Sequence, residues 1–180
     1  RPASRSVYSV VLAHLSISLL GSFLITSHGE TIREFKSNRT RALLAYLAVE
    51  ADQPHRRERL AGLLWPDWPD REALNNLRST LSNLRLAIGD RGAEPPFLII
   101  TRDSIQMNPR ADIDLDVSAF TNAVDAIRTG SPISGDIEQV VGRYHGNFLE
   151  GFSIGDSPEF EEWALLTRER LAREADYALH

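Results

Sequence analysis

The stretch at residues 70–89 reads DREALNNLRSTLSNLRLAIG, and its pattern decides the fold that we predict for the chain. Apolar side chains recur along it at steps of three and four, the spacing that puts them on one face of an α-helix. These positions are Leu74, Leu77, Leu81, Leu84 and Ile88. We therefore predict an amphipathic helix whose apolar face packs on a core.

The other face of this helix carries short polar side chains and arginines, with neither Glu nor Lys among them. Its residues are Asn75, Arg78, Ser79, Ser82, Asn83 and Arg85. A helix face that meets only water usually carries long charged side chains in i,i+4 pairs. Arg and Asn instead suit the guanine and adenine edges in a DNA major groove. The stretch alone favours a solvated surface, whereas its neighbours in the chain favour DNA.

Charge is distributed unevenly along the 180 residues, whose formal net charge is −5. Residues 13–110 carry 13 Lys and Arg against 11 Asp and Glu, whereas residues 111–180 carry 5 Arg against 14 acidic residues. Such an asymmetry indicates two modules with different partners. The chain has no Cys, and it therefore has no thiolate for catalysis or metal binding. This composition is compatible with a reducing cytosol.

The N-terminal part is predicted to consist of a tail, residues 1–12, and a first strand, residues 13–20. Two arginines precede an apolar run, as in a signal peptide, but His14 and several serines interrupt the run. No segment reaches the ~18 apolar residues of a membrane span, so we expect a cytoplasmic protein without membrane contact. The turn-forming sequence SHG predicts a hairpin between strands at 22–26 and 30–35.

Two helices are predicted next, one from Ser37 or Asn38 through Ala51 and one from about Arg56 to Trp65. Two prolines then separate the second helix from the 70–89 helix, for which an Asp is the predicted N-cap. Arginines stand at the start of the first two helices: Arg39 and Arg41 in the first, and Arg56 and Arg57 in the second. The helix dipole disfavours cations in a first turn, so Arg39 and Arg41 are either ordinary surface charges or neighbours of a phosphate.

After the 70–89 helix, FLIIT and SIQMN predict two strands, 97–101 and 104–108, joined by Arg102 and Asp103. The predicted inward positions are Phe97, Ile99, Ile105 and Met107. Strands, three helices and a hairpin are the layout of an α+β winged helix-turn-helix. In that fold the third helix enters the major groove and the hairpin tip reaches the backbone or the minor groove. We therefore predict a winged-helix DNA-binding domain at residues 13–110.

Two long segments carry a resemblance to a known family. Residues 40–90 read TRALLAYLAVEADQPHRRERLAGLLWPDWPDREALNNLRSTLSNLRLAIGD, and residues 144–171 read YHGNFLEGFSIGDSPEFEEWALLTRERL. The first resembles the DNA-binding domain of the Streptomyces antibiotic regulatory protein family, bacterial transcriptional activators with an OmpR-type winged helix. The second resembles the bacterial transcriptional activator domain that follows it in that family. The resemblance covers residues 15–180 and carries both halves in the family's order.

This resemblance implies functional residues at the matching positions. Family members contact bases and phosphates with the exposed side of the third helix, here the polar set from Asn75 to Arg85. The wing tip corresponds to Arg102, a minor-groove candidate, and Arg56 and Arg57 stand where the second helix begins, as candidates for phosphate contacts. OmpR-type proteins touch RNA polymerase with the loop that corresponds here to Trp65, Pro66, Asp67, Trp68, Pro69 and Asp70. The family further implies two tandem molecules on direct repeats.

Residues 111–180 carry three amphipathic patterns, which we predict to be helices. In the last of them Trp163, Leu166 and Leu171 are predicted to point inward. Paired amphipathic helices indicate a helical repeat, and the all-α, tetratricopeptide-like activation domain of the family agrees. One or two helix pairs fit before His180, so we expect the start of that domain in a fragment of a longer regulator.

No residue pattern predicts catalysis. The five His are scattered without metal-ligand spacing, and the chain has no phosphate-binding Gly-rich loop or nucleophile elbow. We expect neither enzyme activity nor a metal or cofactor. The predicted function is sequence-specific binding of double-stranded DNA by a transcriptional regulator, an activator by resemblance, whose helical module regulates or recruits.

The alternative function is a protein-interaction module in which the winged helix is a scaffold that does not bind DNA. The modest positive charge of residues 13–110 favours it, because DNA binders commonly show a stronger basic surface. The distribution of charge separates the two hypotheses. Arginines clustered with the third helix and the wing support DNA binding, whereas acids such as Glu58 and Glu72 on that surface support the scaffold.

Overall fold

A computed structural model describes residues 12–132 and 137–180 of the chain. The predicted tail lies outside these residues except for Leu12. The strands are β1 His14–Ser18, β2 Leu24–Ser27, β3 Glu30–Thr31, β4 His55–Arg56, β5 Leu98–Ile100, β6 Ser104–Met107 and β7 Asp112–Leu115. The helices are α1 Asn38–Val49, α2 Arg57–Leu64, α3 Asp70–Ala87, α4 Asp116–Thr129, α5 Ile137–Val141 and α6 Pro158–Leu179. In the part described, no helix has the length and apolarity needed to cross a bilayer.

The first sheet has the strand order β3-β2-β1-β7. The predicted hairpin is present, because β2 pairs antiparallel with β1 and with the short strand β3. Leu15 and Ile17 of β1 are buried and alternate with half-buried polar residues, as a strand with one face on a core requires. This sheet forms one side of a core that continues into all the long helices.

Helices α1, α2 and α3 follow the predicted order, and the predicted cap of α1 is confirmed at Ser37. Its hydroxyl accepts the N–H of Thr40 at 3.2 Å. The prediction that Asp70 caps α3 is wrong, because Pro69 occupies the N-cap with extended backbone angles and Asp70 is already helical. The Asp70 carboxylate remains in the first turn, where the positive end of the helix dipole favours it.

The predicted wing hairpin is formed by β5 and β6, and the short strand β4 pairs with β6 on its other side. The inward position predicted for Ile99 is wrong. Ile99 is 40% exposed, whereas Leu98 is 3% exposed. The cause is the strand phase: Leu98 pairs with Met107 and Ile100 with Ile105, so these side chains share the core face and Ile99 takes the other.

Strand β7 was not predicted, and it joins the two parts of the chain. It lies beyond residue 110, where we expected the second domain to begin, yet it pairs in parallel with β1. Directly after it, the buried carboxylate of Asp116 accepts N–H groups from Leu19, Leu20 and Val117 at 2.8–3.0 Å. Burial raises the pKa of the Asp116 carboxyl, and the three N–H groups oppose that shift by favouring the carboxylate.

The long helix α6 packs on α1 through Trp163. The indole ring lies edge-on to Tyr46 with centroids 5.0 Å apart, and its N–H donates to a Glu50 carboxylate oxygen at 2.9 Å. The predicted inward position of Leu171 is confirmed, whereas that of Leu166 is wrong, since Leu166 is 58% exposed. The buried face of α6 runs along positions three or four residues apart that do not include Leu166. It consists of Phe160, Ala164, Thr167, Leu171, Glu174 and Ala175.

Replacing Asp116 with alanine tests the junction between the sheet and α4. Three main-chain N–H groups would lose their acceptor in a buried site, at about 1–3 kcal/mol for each unsatisfied group. We expect Asp116→Ala to lower the free energy of unfolding by about 3 kcal/mol or more, measured by urea denaturation. The control is Asp125→Ala, which removes an exposed carboxylate 3.7 Å from Arg128 and should change stability by less than about 0.5 kcal/mol. Equal, small effects of the two substitutions on the free energy of unfolding would contradict the role of Asp116 as a buried acceptor that stabilises the junction.

Candidate nucleic-acid interface

Helix α3 presents its polar face at the surface of the molecule. Its opposite face is buried through Leu77, Leu81 and Leu84 against the core, while Leu74 is half-buried. The residues predicted to contact DNA divide by exposure: Asn75, Arg78, Ser79 and Ser82 are exposed, and Asn83 and Arg85 are half-buried. The helix therefore offers short polar side chains and one exposed arginine of that set to a partner.

Arg85 is half-buried and engaged in an ion pair at the end of α3. Its Nε donates to Oδ2 of Asp90 at 2.8 Å, and Oδ1 of the same buried carboxylate accepts the N–H of Leu98 at 3.0 Å. Asp90 thus links the end of α3 to the first strand of the wing. Because Arg85 neutralises this carboxylate, its first contribution is to hold the wing beside α3.

Two exposed arginines outside the predicted set extend the cationic surface of α3. Arg71 lies four residues before Asn75 and seven before Arg78, so the three share one helix face. Arg91 lines a surface hollow together with Ser82 and Asn83. Helical spacing was a sufficient signal to find Arg71. Arg91 lies in a short 3-10 helix after α3, Asp90–Gly92, where three residues give no periodicity to predict its position.

The wing ends in the two-residue turn formed by Arg102 and Asp103, both exposed. The Thr101 hydroxyl accepts the N–H of Asp103 at 3.2 Å and the N–H of Ser104 at 3.0 Å. Toward residues 12–132 and 137–180 the Arg102 guanidinium makes neither a hydrogen bond nor an ion pair. The wing tip therefore carries an uncommitted cation on an ordered turn.

The two arginines at the start of α2 have different environments. Arg56 is exposed and lies 3.8 Å from a carboxylate oxygen of Glu58, a weak surface pair. Arg57 is half-buried, and its guanidinium donates to the main-chain oxygen of Thr101 in the wing. Arg56 is thus the more accessible of the two candidates for a phosphate contact.

The structure engages both arginines of the first turn of α1. Nη2 of Arg39 lies 2.6 Å from Oδ2 of Asp156, and its Nε donates to the main-chain oxygen of Leu64 at 2.9 Å. The Arg39 guanidinium holds the pKa of the Asp156 carboxyl below its ordinary value. Arg41 donates to Asn38 at 3.0 Å and stacks over the ring of Phe35. Of the two alternatives left open, these contacts favour structural charges over neighbours of a phosphate.

The loop between α2 and α3 offers fewer surface residues than predicted. Trp65 is 6% exposed, which excludes its ring from a surface contact and corrects its place among the polymerase candidates, whereas Trp68 is 51% exposed. Trp65 is buried because it fills the core at the end of α2, beneath the Arg39 guanidinium. Pro66 is half-buried, and the exposed members of the loop besides Trp68 are Asp67, Pro69 and Asp70.

Acidic side chains interrupt the cationic surface at two points. Glu72 is exposed in the first turn of α3, one residue after Arg71, and Glu58 is exposed in α2 beside Arg56. Both are residues whose position was expected to favour the scaffold alternative. The middle of α3, from Asn75 to Ser82, has no acidic residue. Within the described ranges, no three acidic or imidazole side chains are grouped so as to hold a metal ion.

Comparison with known proteins shows that the chain is similar to a mycobacterial regulator. No family model matches it. Over 91 residues, 51% of its length, the chain is 31% identical to the transcriptional regulatory protein EmbR of Mycobacterium tuberculosis, and EmbR of Mycobacterium bovis matches to the same extent. The match covers 23% of EmbR, so the chain spans under a quarter of the curated relatives that it matches.

A solved structure extends the similarity to most of the fold. The structure of Mycobacterium tuberculosis EmbR in complex with a low affinity phosphopeptide matches with a TM-score of 0.65 and 23% sequence identity, over 90% of this chain and 44% of that chain. The likeness is one of fold, with strands toward the N-terminus and helices toward the C-terminus. The chain is therefore similar to EmbR in sequence over about half of its length and in fold over nearly all of it.

Proposed function

We propose that the chain is a transcriptional regulator that binds double-stranded DNA sequence-specifically through a winged helix. The observation that carries this proposal is the exposed face of α3, where Asn75, Arg78 and Ser82 lie without acidic neighbours between them. The similarity to EmbR, named as a transcriptional regulatory protein, supports the same role. The activity is recognition, with no part assigned to catalysis, and its DNA partner places the protein in the bacterial cytoplasm.

The proposed division of labour follows from exposure and side-chain chemistry. Side chains in the middle of α3 contact base edges in the major groove, since Arg suits guanine and Asn suits adenine. Phosphate contacts come from exposed arginines at the periphery, which position the protein but carry no sequence information directly. These are Arg56, Arg71 and Arg91, while Arg102 at the wing tip enters the adjacent groove.

The helical part supplies regulation or recruitment in this proposal. We propose that α4 to α6 belong to a tetratricopeptide-like activator module, and that the exposed loop residues from Asp67 to Asp70 contact RNA polymerase. Two copies bound in tandem on direct repeats would read a full operator. These roles rest on the resemblance described above.

The scaffold alternative keeps one specific observation in its favour. Glu58 and Glu72 lie beside Arg56 and Arg71, so part of the surface around α3 is electrically mixed. The phosphates of a duplex would meet repulsion from these carboxylates, whereas a protein partner could place its own cations against them. Binding measurements on random DNA separate the two functions.

We expect the protein to bind random duplex DNA at low salt, and Arg102→Ala to weaken this binding without regard to sequence. A cation in the groove also displaces counterions from the phosphates, so its loss reduces the slope of log K against log salt by at most about 0.9, the value for one phosphate contact. Fluorescence anisotropy at several salt concentrations measures both effects. The matched control is Arg173→Ala, an exposed arginine of α6 outside the proposed interface. Absence of binding by the unaltered protein at low salt would overturn DNA recognition in favour of the scaffold.

We expect Arg78→Ala to relax sequence preference at about one base pair and to cost roughly 1–3 kcal/mol on a selected operator. The physical reason is the loss of paired donors that match a guanine edge. The measurement compares affinity for the operator, for single-base variants of it and for random DNA. Arg91→Ala serves as the comparison, because a phosphate contact lowers affinity for all sequences alike. A uniform loss in the Arg78 variant would show that Arg78 contacts only the backbone.

A further inference from the structure

We propose that Arg57 is a positioning residue that ties the wing tip to the start of α2 and thereby aims Arg102. The inference rests on the proposed function for its consequence at DNA, while the contact itself is a property of the free protein. From the sequence we expected Arg57 to contact a phosphate, whereas in the proposed role it contacts the wing of its own chain.

The contacts of Arg57 bracket the turn at the wing tip. Its Nη2 and Nε donate to the main-chain oxygen of Thr101 at 2.9 and 3.3 Å. Its own main-chain N–H donates to the oxygen of Asp103 at 3.0 Å. Next to these bonds, Arg56 of β4 pairs with Ser104 of β6. Arg102 is thus held between two residues that are each bonded to Arg57.

The turn itself leaves an acceptor for this guanidinium. In a four-residue turn the first carbonyl commonly accepts the N–H of the fourth residue. Here the N–H of Ser104 goes to the Thr101 hydroxyl at 3.0 Å, and the N–H of Thr101 goes to the oxygen of Ser104 at 3.0 Å. The Thr101 carbonyl is therefore available to Arg57, which donates to it twice.

A comparison of arginine with lysine at residue 57 distinguishes a positioning role from a role that needs only a positive charge. A guanidinium presents rigid, planar donors, whereas the lysine ammonium is a point charge on a flexible stem, so lysine keeps the charge without reproducing this pair of bonds. Arg59 offers a matched control on the same helix. It is exposed, and toward the residues that the structure describes it makes no hydrogen bond or ion pair.

The decisive experiment compares Arg57→Lys, Arg57→Ala and Arg59→Ala, with thermal melting to verify folding. Amide hydrogen exchange of the free protein tests the contact. In both Arg57 variants the Thr101 carbonyl loses its charged donors, and the turn that it anchors opens more often. We therefore expect the N–H groups of Asp103 and Ser104, which bond the Thr101 hydroxyl in that turn, to exchange about tenfold faster. In Arg59→Ala they should exchange at the original rate. Unchanged exchange in Arg57→Lys would overturn the positioning role.

DNA affinity then tests the consequence through a double-mutant cycle with Arg102→Ala. We expect Arg57→Lys to lose as much affinity for duplex DNA as Arg57→Ala, and Arg102→Ala to cost less than half as much in either Arg57 background. Full affinity in Arg57→Lys, or strictly additive losses, would overturn the inference and return Arg57 to a phosphate contact. If the unaltered protein binds no DNA, the proposed function fails, and hydrogen exchange still decides whether Arg57 holds the wing.

Discussion

The carboxylate of Asp116 is the interaction on which the arrangement of the two halves depends. It collects three main-chain N–H groups, two from the residues that directly follow β1 and one from the start of α4. Because β7 pairs with β1 immediately before it, the chain returns to the first sheet and then leaves as a helix. The direction of α4 is set there, and α6 packs against α4 and α1.

Internal ion pairs and hydrogen bonds determine which cations remain for a partner. Arg39 is engaged by Asp156, Arg57 by the wing and Arg85 by Asp90, whereas Arg78 and Arg102 keep their donors exposed. A formal charge counted along the sequence does not distinguish these groups. The modest charge of residues 13–110 is therefore a poor guide to the number of cations that the surface around α3 offers to a partner.

Periodicity predicted the elements that have long, regular patterns. The three helices and the polar face of α3 follow from the 3.6-residue repeat, which leaves least freedom over the five turns of α3, and the first hairpin follows from its turn sequence. Strand β7 was missed because Asp112–Leu115 alternates acidic and apolar residues over only four positions, a run too short to predict a strand by itself, and pairing with β1 supplies its structure. Ile99 and Leu166 were misplaced because strand phase and helix rotation are set by packing partners far along the chain.

The contact between Trp163 and Tyr46 fixes the start of α6 on α1. Aromatic rings from α1 and α6 share one continuous core, so the start of the long helix is packed directly on α1. At 22 residues, α6 extends for about 33 Å. The packing continues toward its far end, where the guanidinium carbon of Arg128 in α4 lies 4.9 Å from the centroid of the Tyr177 ring. A partner bound along the exposed side of α6 would therefore meet a helix that shares one core with α3.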